Sequence, residues 1–247
     1  MAILNQNVEV LADKTALIDR AYEIITQRIQ KAMSSTSSAT AKQDRFTIAL
    51  SGGSTPKQLY QAFAKADLPW SKIHVFWGDE RYVRADHPDS NQLMARQAWL
   101  DKIDIPAGNI HPMDVTDADP AEDAKLHEAK LKEFFQLEQG FPKFDLILLG
   151  MGDDGHTASL FPQTEALSVK DRLVTVGNHD GEPRITFTVP LINQAACVIF
   201  LVAGANKQSA LEHVFAPQGD ETQYPSRLVQ PQGELLWLLD RSAAEEL

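Results

Sequence analysis

The segment Gly150-Met151-Gly152-Asp153-Asp154-Gly155-His156 places three glycines, two carboxylates and one imidazole directly after the apolar run Phe144–Leu149. An imidazole titrates near neutrality, so His156 can take a proton from water and later return it. Asp154, two residues earlier, can orient the ring and stabilise its protonated form. The glycines permit the sharp turn that carries such a histidine to the end of a strand. A metal centre built on Asp153, Asp154 and His156 is disfavoured, because no second histidine completes a local ligand pattern.

Three other places carry chemistry of a complementary kind. Ser51-Gly52-Gly53-Ser54-Thr55-Pro56 follows the apolar run Phe46–Leu50. Its glycines allow close backbone approach, its hydroxyls add donors, and free N–H groups there would hold an anion or sugar oxygens. The spacing matches neither a Walker A loop, nor a dinucleotide fingerprint, nor a G-x-S-x-G elbow. A plain strand–helix turn reads the same way. Asp79-Glu80-Arg81 ends another apolar run, Ile73–Trp77, and offers carboxylates for sugar hydroxyls and a guanidinium for an anion. A surface salt-bridge cluster has the same composition. Arg184 opens an alternating run, and Lys207 lies in Gly204-Ala205-Asn206-Lys207 just past another. Each can reach a bound phosphate, and each alone equally fits a solvated surface charge.

These residues need a scaffold that gathers strand ends. The short apolar runs Phe46–Leu50, Ile73–Trp77, Phe144–Leu149 and Val198–Ala203 alternate with helical stretches starting near Thr55, Ser90 and Asn206 and at about 120–138. That alternation predicts an α/β fold with a mostly parallel sheet covered on both faces. Ligands of such sheets collect beyond the carboxyl ends of the strands, which is where the unusual residues fall. Leu17, Ala21, Ile24, Ile25 and Ile29 recur at helical spacing and predict an amphipathic helix over 11–33. Residues 34–41 (SSTSSATA) read as a surface loop. Arg184–Val189 and Leu235–Leu239 add late strands. With no internal repeat and no second shift in composition, one domain over 1–247 is expected.

Composition narrows the partners. The net charge of −11 opposes nucleic-acid binding, though a few local cations can still make a cleft attractive to a small anion. The single cysteine, Cys197, sits in an apolar run, which excludes an internal disulfide and favours a buried structural thiol. No stretch approaches the ~20 apolar residues of a membrane span, and the first residues carry no secretory pattern, so a cytoplasmic protein without membrane contact is expected.

Taken together, SGGSTP (51–56), FWGDERYV (76–83) with Ser90-Asn91, DLILLGMGDDGHTASLFP (145–162), RITFTVP (184–190), GANK (204–207) and WLLD (237–240) resemble the glucosamine/galactosamine-6-phosphate isomerase family, on its 6-phosphogluconolactonase branch. The resemblance implies a Rossmann-like three-layer α/β/α fold. It also implies hydrolysis of 6-phospho-D-glucono-1,5-lactone to 6-phosphogluconate in the pentose phosphate pathway, without a cofactor. By position, His156 would be the base and Asp154 its partner. Ser51, Gly52, Gly53, Ser54, Thr55, Asp79, Arg81, Arg184 and Lys207 would form the substrate pocket, with Arg184 and Lys207 favoured for the phosphate. The glycine loop faces either the phosphate or the lactone ring, and Arg81 is one candidate for stabilising the oxyanion. The family's deaminases are the alternative activity, but they carry a glutamate where this chain has Phe161 and D-E-Y where it has Asp79-Glu80-Arg81. A non-catalytic sugar-phosphate sensor would normally bring a DNA-binding segment, which this sequence does not display.

Overall fold

The computed structural model describes residues 7–34, 45–116 and 119–247. Its elements, in chain order, are β1 (Asn7–Leu11), α1 (Lys14–Ser34), β2 (Phe46–Leu50), α2 (Ser54–Phe63), β3 (Ile73–Trp77), β4 (Asp79–Arg81), α3 (Asn91–Ala98), β5 (Ile110–His111), α4 (Pro120–Phe135), β6 (Leu146–Leu149), β7 (Val174–His179), β8 (Glu182–Phe187), α5 (Val189–Ile192), β9 (Cys197–Val202), α6 (Gln208–Phe215) and β10 (Glu234–Asp240). Seven strands form one sheet in the order β1-β10-β9-β6-β2-β3-β5, and every neighbouring pair is parallel. Strands β2, β6 and β9 are buried at every position, because helices cover both faces of the sheet. That is why these strands read as unbroken apolar runs.

Strand order reverses between β2 and β6. From β2 the chain winds outward through β3 to β5, and from β6 it winds the opposite way through β9 to β10. A crevice opens beyond the carboxyl ends of strands at such a reversal. The two loops leaving it are Ser51–Gly53 and Gly150–His156, the glycine-bearing segments singled out in the sequence.

Three expectations change. The first helix starts at Lys14, and the residues before it form β1, an edge strand on which Val8 and Val10 are exposed. Helix α1 buries Leu17, Ile18, Ala21, Ile25 and Ile29, while Ile24 is only half-buried. Of the loop expected at 34–41, Ser34 closes α1 and the rest lies outside the described residues. The strand expected at Arg184–Val189 runs from Glu182 to Phe187 and does not join the parallel sheet. It is the centre of a separate antiparallel sheet, β4-β8-β7. Asp180 and Gly181 turn the β7–β8 hairpin with φ of 53° and 89°, the left-handed geometry of the tightest hairpin turns. Among the described residues, no helix is long and apolar enough to cross a membrane.

Candidate active site

The crevice is a cleft of about 490 Å³, within the range of small-molecule sites. It brings together Ser51, Gly52, Gly53, Asp79, Arg81, Asp154, His156, Arg184 and Lys207. It does not include Ser54 or Thr55. Those residues begin α2 and turn away; the Ser54 hydroxyl meets Lys14 Nζ at 3.3 Å instead. The N–H groups of Gly52 and Gly53 donate to no acceptor among the described residues, and no side chain caps α2. Gly52 and Gly53 line the cleft, so two backbone donors without an acceptor and the uncapped N-terminal end of α2 lie at its wall. A Cβ at Gly52 would lie 2.0 Å from Asn91 Oδ1, so a side chain there would have to displace the buried Asn91 amide, which donates to the Asp79 carbonyl at 3.0 Å.

The imidazole is set by its own loop. Gly152 N–H donates to the His156 carbonyl at 2.9 Å, and Thr157 Oγ1 donates to the Gly150 carbonyl at 2.8 Å. His156 Nδ1 lies 2.6 Å from Asp154 Oδ1, which also accepts the His156 backbone N–H at 3.1 Å. With Nδ1–H donated to the carboxylate, Nε2 is the nitrogen left as acceptor. Burial works against ionisation of Asp154, but the His156 contacts outweigh it and hold the carboxyl at about 2. The pairing is therefore complete above the ordinary aspartate range and is lost only as pH falls through about 2. Ala158, also in the cleft wall, has a φ of 48°; an alanine in this region costs about 1 kcal/mol, and strain of this kind gathers at functional sites.

Gly152 packs directly beneath the ring. A Cβ there would lie 2.1 Å from His156 Nδ1 and 2.6 Å from Asp154 Oδ1. Gly152→Ala is expected to lower kcat by about 100-fold through displacement of the imidazole, with little loss of Tm. Steady-state kinetics beside a thermal melt check this.

Strand alternation divides the Asp79-Glu80-Arg81 cluster. Asp79 and Arg81 face the cleft, and Glu80 points the other way. Buried Glu80 accepts the backbone N–H groups of Arg81, Asn91 and Gln92 at 2.7–2.8 Å and the Ser90 hydroxyl at 3.2 Å. It therefore holds the start of α3 and has no substrate-facing role. Burial pushes its carboxyl up, opposed by those N–H donors. Glu80→Ala leaves the donors unsatisfied, with an expected loss of about 3 kcal/mol, measurable by urea unfolding. Asp79 Oδ2 accepts the Ser159 hydroxyl at 2.8 Å, tying the histidine loop to β4.

Arg81 and Arg184 are register partners across β4 and β8. Like charges placed opposite each other destabilise a strand pair, so the arrangement calls for an anion between them. Burial, and then Arg81, lower the Arg184 guanidinium from its ordinary value, though it stays charged at any neutral pH. Its Nε is buried without an acceptor, and its Cζ lies 5.4 Å from the centre of the Phe161 ring, whose own centre is 4.4 Å from that of His156. Lys207 lines the cleft but is ion-paired with Asp153, which also accepts Asn206 Nδ2 at 2.9 Å. The Lys207 contact is the main cause holding Asp153 below the usual carboxylate range.

Sequence reasoning missed Asn91, Met151 and His179 as cleft residues. Asn91 was visible only as part of the Ser90-Asn91 match. His179 precedes the Asp180-Gly181 hairpin turn, a dipeptide that signals where the chain doubles back. Among the described residues no group of three or more His, Cys, Asp or Glu side chains is arranged to hold a metal.

Residues 12–237 match the family described as glucosamine-6-phosphate isomerases/6-phosphogluconolactonase. The chain is 63% identical over 241 residues to a 6-phosphogluconolactonase of Synechocystis sp., covering 97% of this chain and 98% of that one. It is 61% identical over 245 residues to a 6-phosphogluconolactonase of Nostoc sp., covering 99% of each. The solved 6-phosphogluconolactonase of Trypanosoma cruzi superposes with a TM-score of 0.85 at 31% identity, over 98% of this chain and 97% of that one. On these matches, and with the cleft built as described, the chain belongs to the glucosamine-6-phosphate isomerase/6-phosphogluconolactonase family.

Proposed function

We propose that this protein hydrolyses 6-phospho-D-glucono-1,5-lactone to 6-phospho-D-gluconate, with His156 as the base that activates water. The observation that carries the reading is a carboxylate-held imidazole sharing one cleft with two guanidinium groups that make no ion pair among the described residues. In this mechanism Nε2 of His156 takes a proton from water as the oxygen attacks the lactone carbonyl. The ring C–O bond then breaks, and the imidazolium returns its proton to the departing ring oxygen, so His156 ends each cycle neutral.

The phosphate sits against Arg184, with Arg81 beside it in register. Lys207 contributes less, because Asp153 already balances its charge. With the arginines on the phosphate, the N–H groups of Gly52 and Gly53 are donors available to the oxyanion. Asp79 Oδ1, not used by Ser159, is free to hold a ring hydroxyl. Phe161 cannot transfer protons, and its ring packs against His156, so the deaminase chemistry of the same family is not the reading favoured.

A coupled assay that forms the lactone in place tests the proposal. The protein should speed loss of the lactone well above its spontaneous hydrolysis and leave glucosamine 6-phosphate untouched. Lactone loss at the spontaneous rate would overturn it.

A further inference from the structure

The lactone mechanism leaves one imidazole of the cleft unused. His179 lines the cleft and closes β7, immediately before the Asp180-Gly181 turn. Its Nδ1 lies 3.8 Å from Asp180 Oδ2, beyond hydrogen-bond distance, and no hydrogen bond engages the ring among the described residues. The side chain is half-exposed, so its nitrogens are open to a molecule that enters the cleft.

Strand register sets the face on which the ring lies. Residues directly opposite each other on an antiparallel pair share a face, as do residues two apart on one strand. Arg184 pairs with Arg81 on one side and with Gly177 on the other, and His179 stands two residues beyond Gly177. His179 therefore shares the face of both arginines, displaced by one pleat period, about 7 Å, along the strand. No side chain intervenes at Gly177, where a Cβ would lie 2.1 Å from the Ser159 carbonyl oxygen. The loop that carries His156 rests on β7 at that point, which ties the hairpin and the loop together. Buried Phe161 is a floor common to both. Its ring centre lies 4.7 Å from that of His179 and 5.4 Å from Arg184 Cζ, so the imidazole and the guanidinium flank one apolar ring.

A phosphate monoester presents three strong acceptor oxygens and nearly two negative charges at neutral pH. A dianion held by Arg184 favours the protonated form of a neighbouring imidazole, in which both ring nitrogens donate. Asp180 and Glu182, the register partner of His179, favour that form as well, and the two arginines oppose it until an anion balances them. We propose that His179 is a third phosphate-binding side chain of the cleft, donating a ring N–H to an oxygen of the phosphate that Arg184 holds. The proposal rests on the lactone reading for its substrate and adds to it a residue that selects for the phosphorylated form.

Calorimetric titration of 6-phosphogluconate into the wild-type protein and into His179→Phe tests this, beside steady-state kinetics on the phosphorylated lactone and on glucono-1,5-lactone. Phenylalanine keeps a ring against Phe161 and removes both nitrogens. Kd for 6-phosphogluconate and KM for its lactone should each rise about tenfold, with kcat within about twofold of normal and kcat/KM for glucono-1,5-lactone unchanged. The position is half-exposed at a hairpin end, so the variant should keep its Tm; if it does not fold, His179→Ala supplies the same comparison. An unchanged Kd in the folded variant, or an equal loss on both lactones, would overturn the proposal and leave the lactone reading in place. Wild-type protein that binds 6-phosphogluconate without speeding lactone loss would overturn the lactone reading instead, and the ratio of the two Kd values would still decide the His179 contact.

Discussion

His156→Ala is expected to lower kcat by about 1,000-fold while the protein stays folded. General-base assistance is worth on the order of 10² to 10⁴ in rate, and the other imidazole lining the cleft, His179, lies 3.8 Å from its carboxylate, Asp180, beyond hydrogen-bond distance. KM should move little, because the ring is not among the charges that hold the substrate. Lactones hydrolyse unaided, so the residual rate must be measured above the spontaneous background. A folded variant with near-normal turnover would remove His156 from the mechanism. The pairing with Asp154 adds a pH signature. Asp154 stays ionised down to about pH 2, so loss of activity on mild acidification would not come from protonation of that carboxylate. Asp154→Asn takes away the charge that favours imidazolium. kcat should fall by about tenfold or more, as steady-state kinetics of the two proteins would reveal.

Arg184→Ala is expected to raise KM by about 30-fold and leave kcat within a few-fold of normal. Charge-assisted hydrogen bonds to a phosphate contribute about 2 kcal/mol when half-buried, which corresponds to that factor. The Arg184 side chain has no ion pair among the described residues, so its removal breaks no structural contact of that kind. The discriminating substrate is glucono-1,5-lactone without phosphate. Its kcat/KM should be low in both proteins and equal between them, whereas kcat/KM for the phosphorylated lactone should fall sharply. An equal loss on both lactones would mean that Arg184 shapes the cleft and does not bind the phosphate.

Much of the scaffold was legible in the sequence for one reason. A strand buried on both faces has no polar alternation to blur it, so β2 falls on the apolar run Phe46–Leu50 residue for residue, and β3 matches Ile73–Trp77 with only His74 half-buried. The glycine-bearing loops after β2 and β6 were legible for the same reason, since each begins where an apolar run stops. What was hidden depends on contacts distant in sequence. The strand Asp79–Arg81 consists of three charged residues and looks like a surface cluster until β8 pairs with it. Only that pairing separates Glu80, which holds α3, from Asp79 and Arg81, which face the cleft. Lys207 and Asp153 are 54 positions apart, so their ion pair could not be read from Gly204-Ala205-Asn206-Lys207. Ser54 and Thr55 looked equivalent to Ser51 in a run of small residues, yet the start of α2 rotates them out. Edge strand β1 carries exposed valines beside a helical pattern, and the helix period concealed it.

A crystal structure of the protein with 6-phosphogluconate bound decides where the reacting carbon and the phosphate lie. The product's C1 carboxylate should sit within about 3 Å of His156 Nε2 and its phosphate against Arg184 and Arg81. A phosphate resting beside His156, with C1 out of the imidazole's reach, would contradict it.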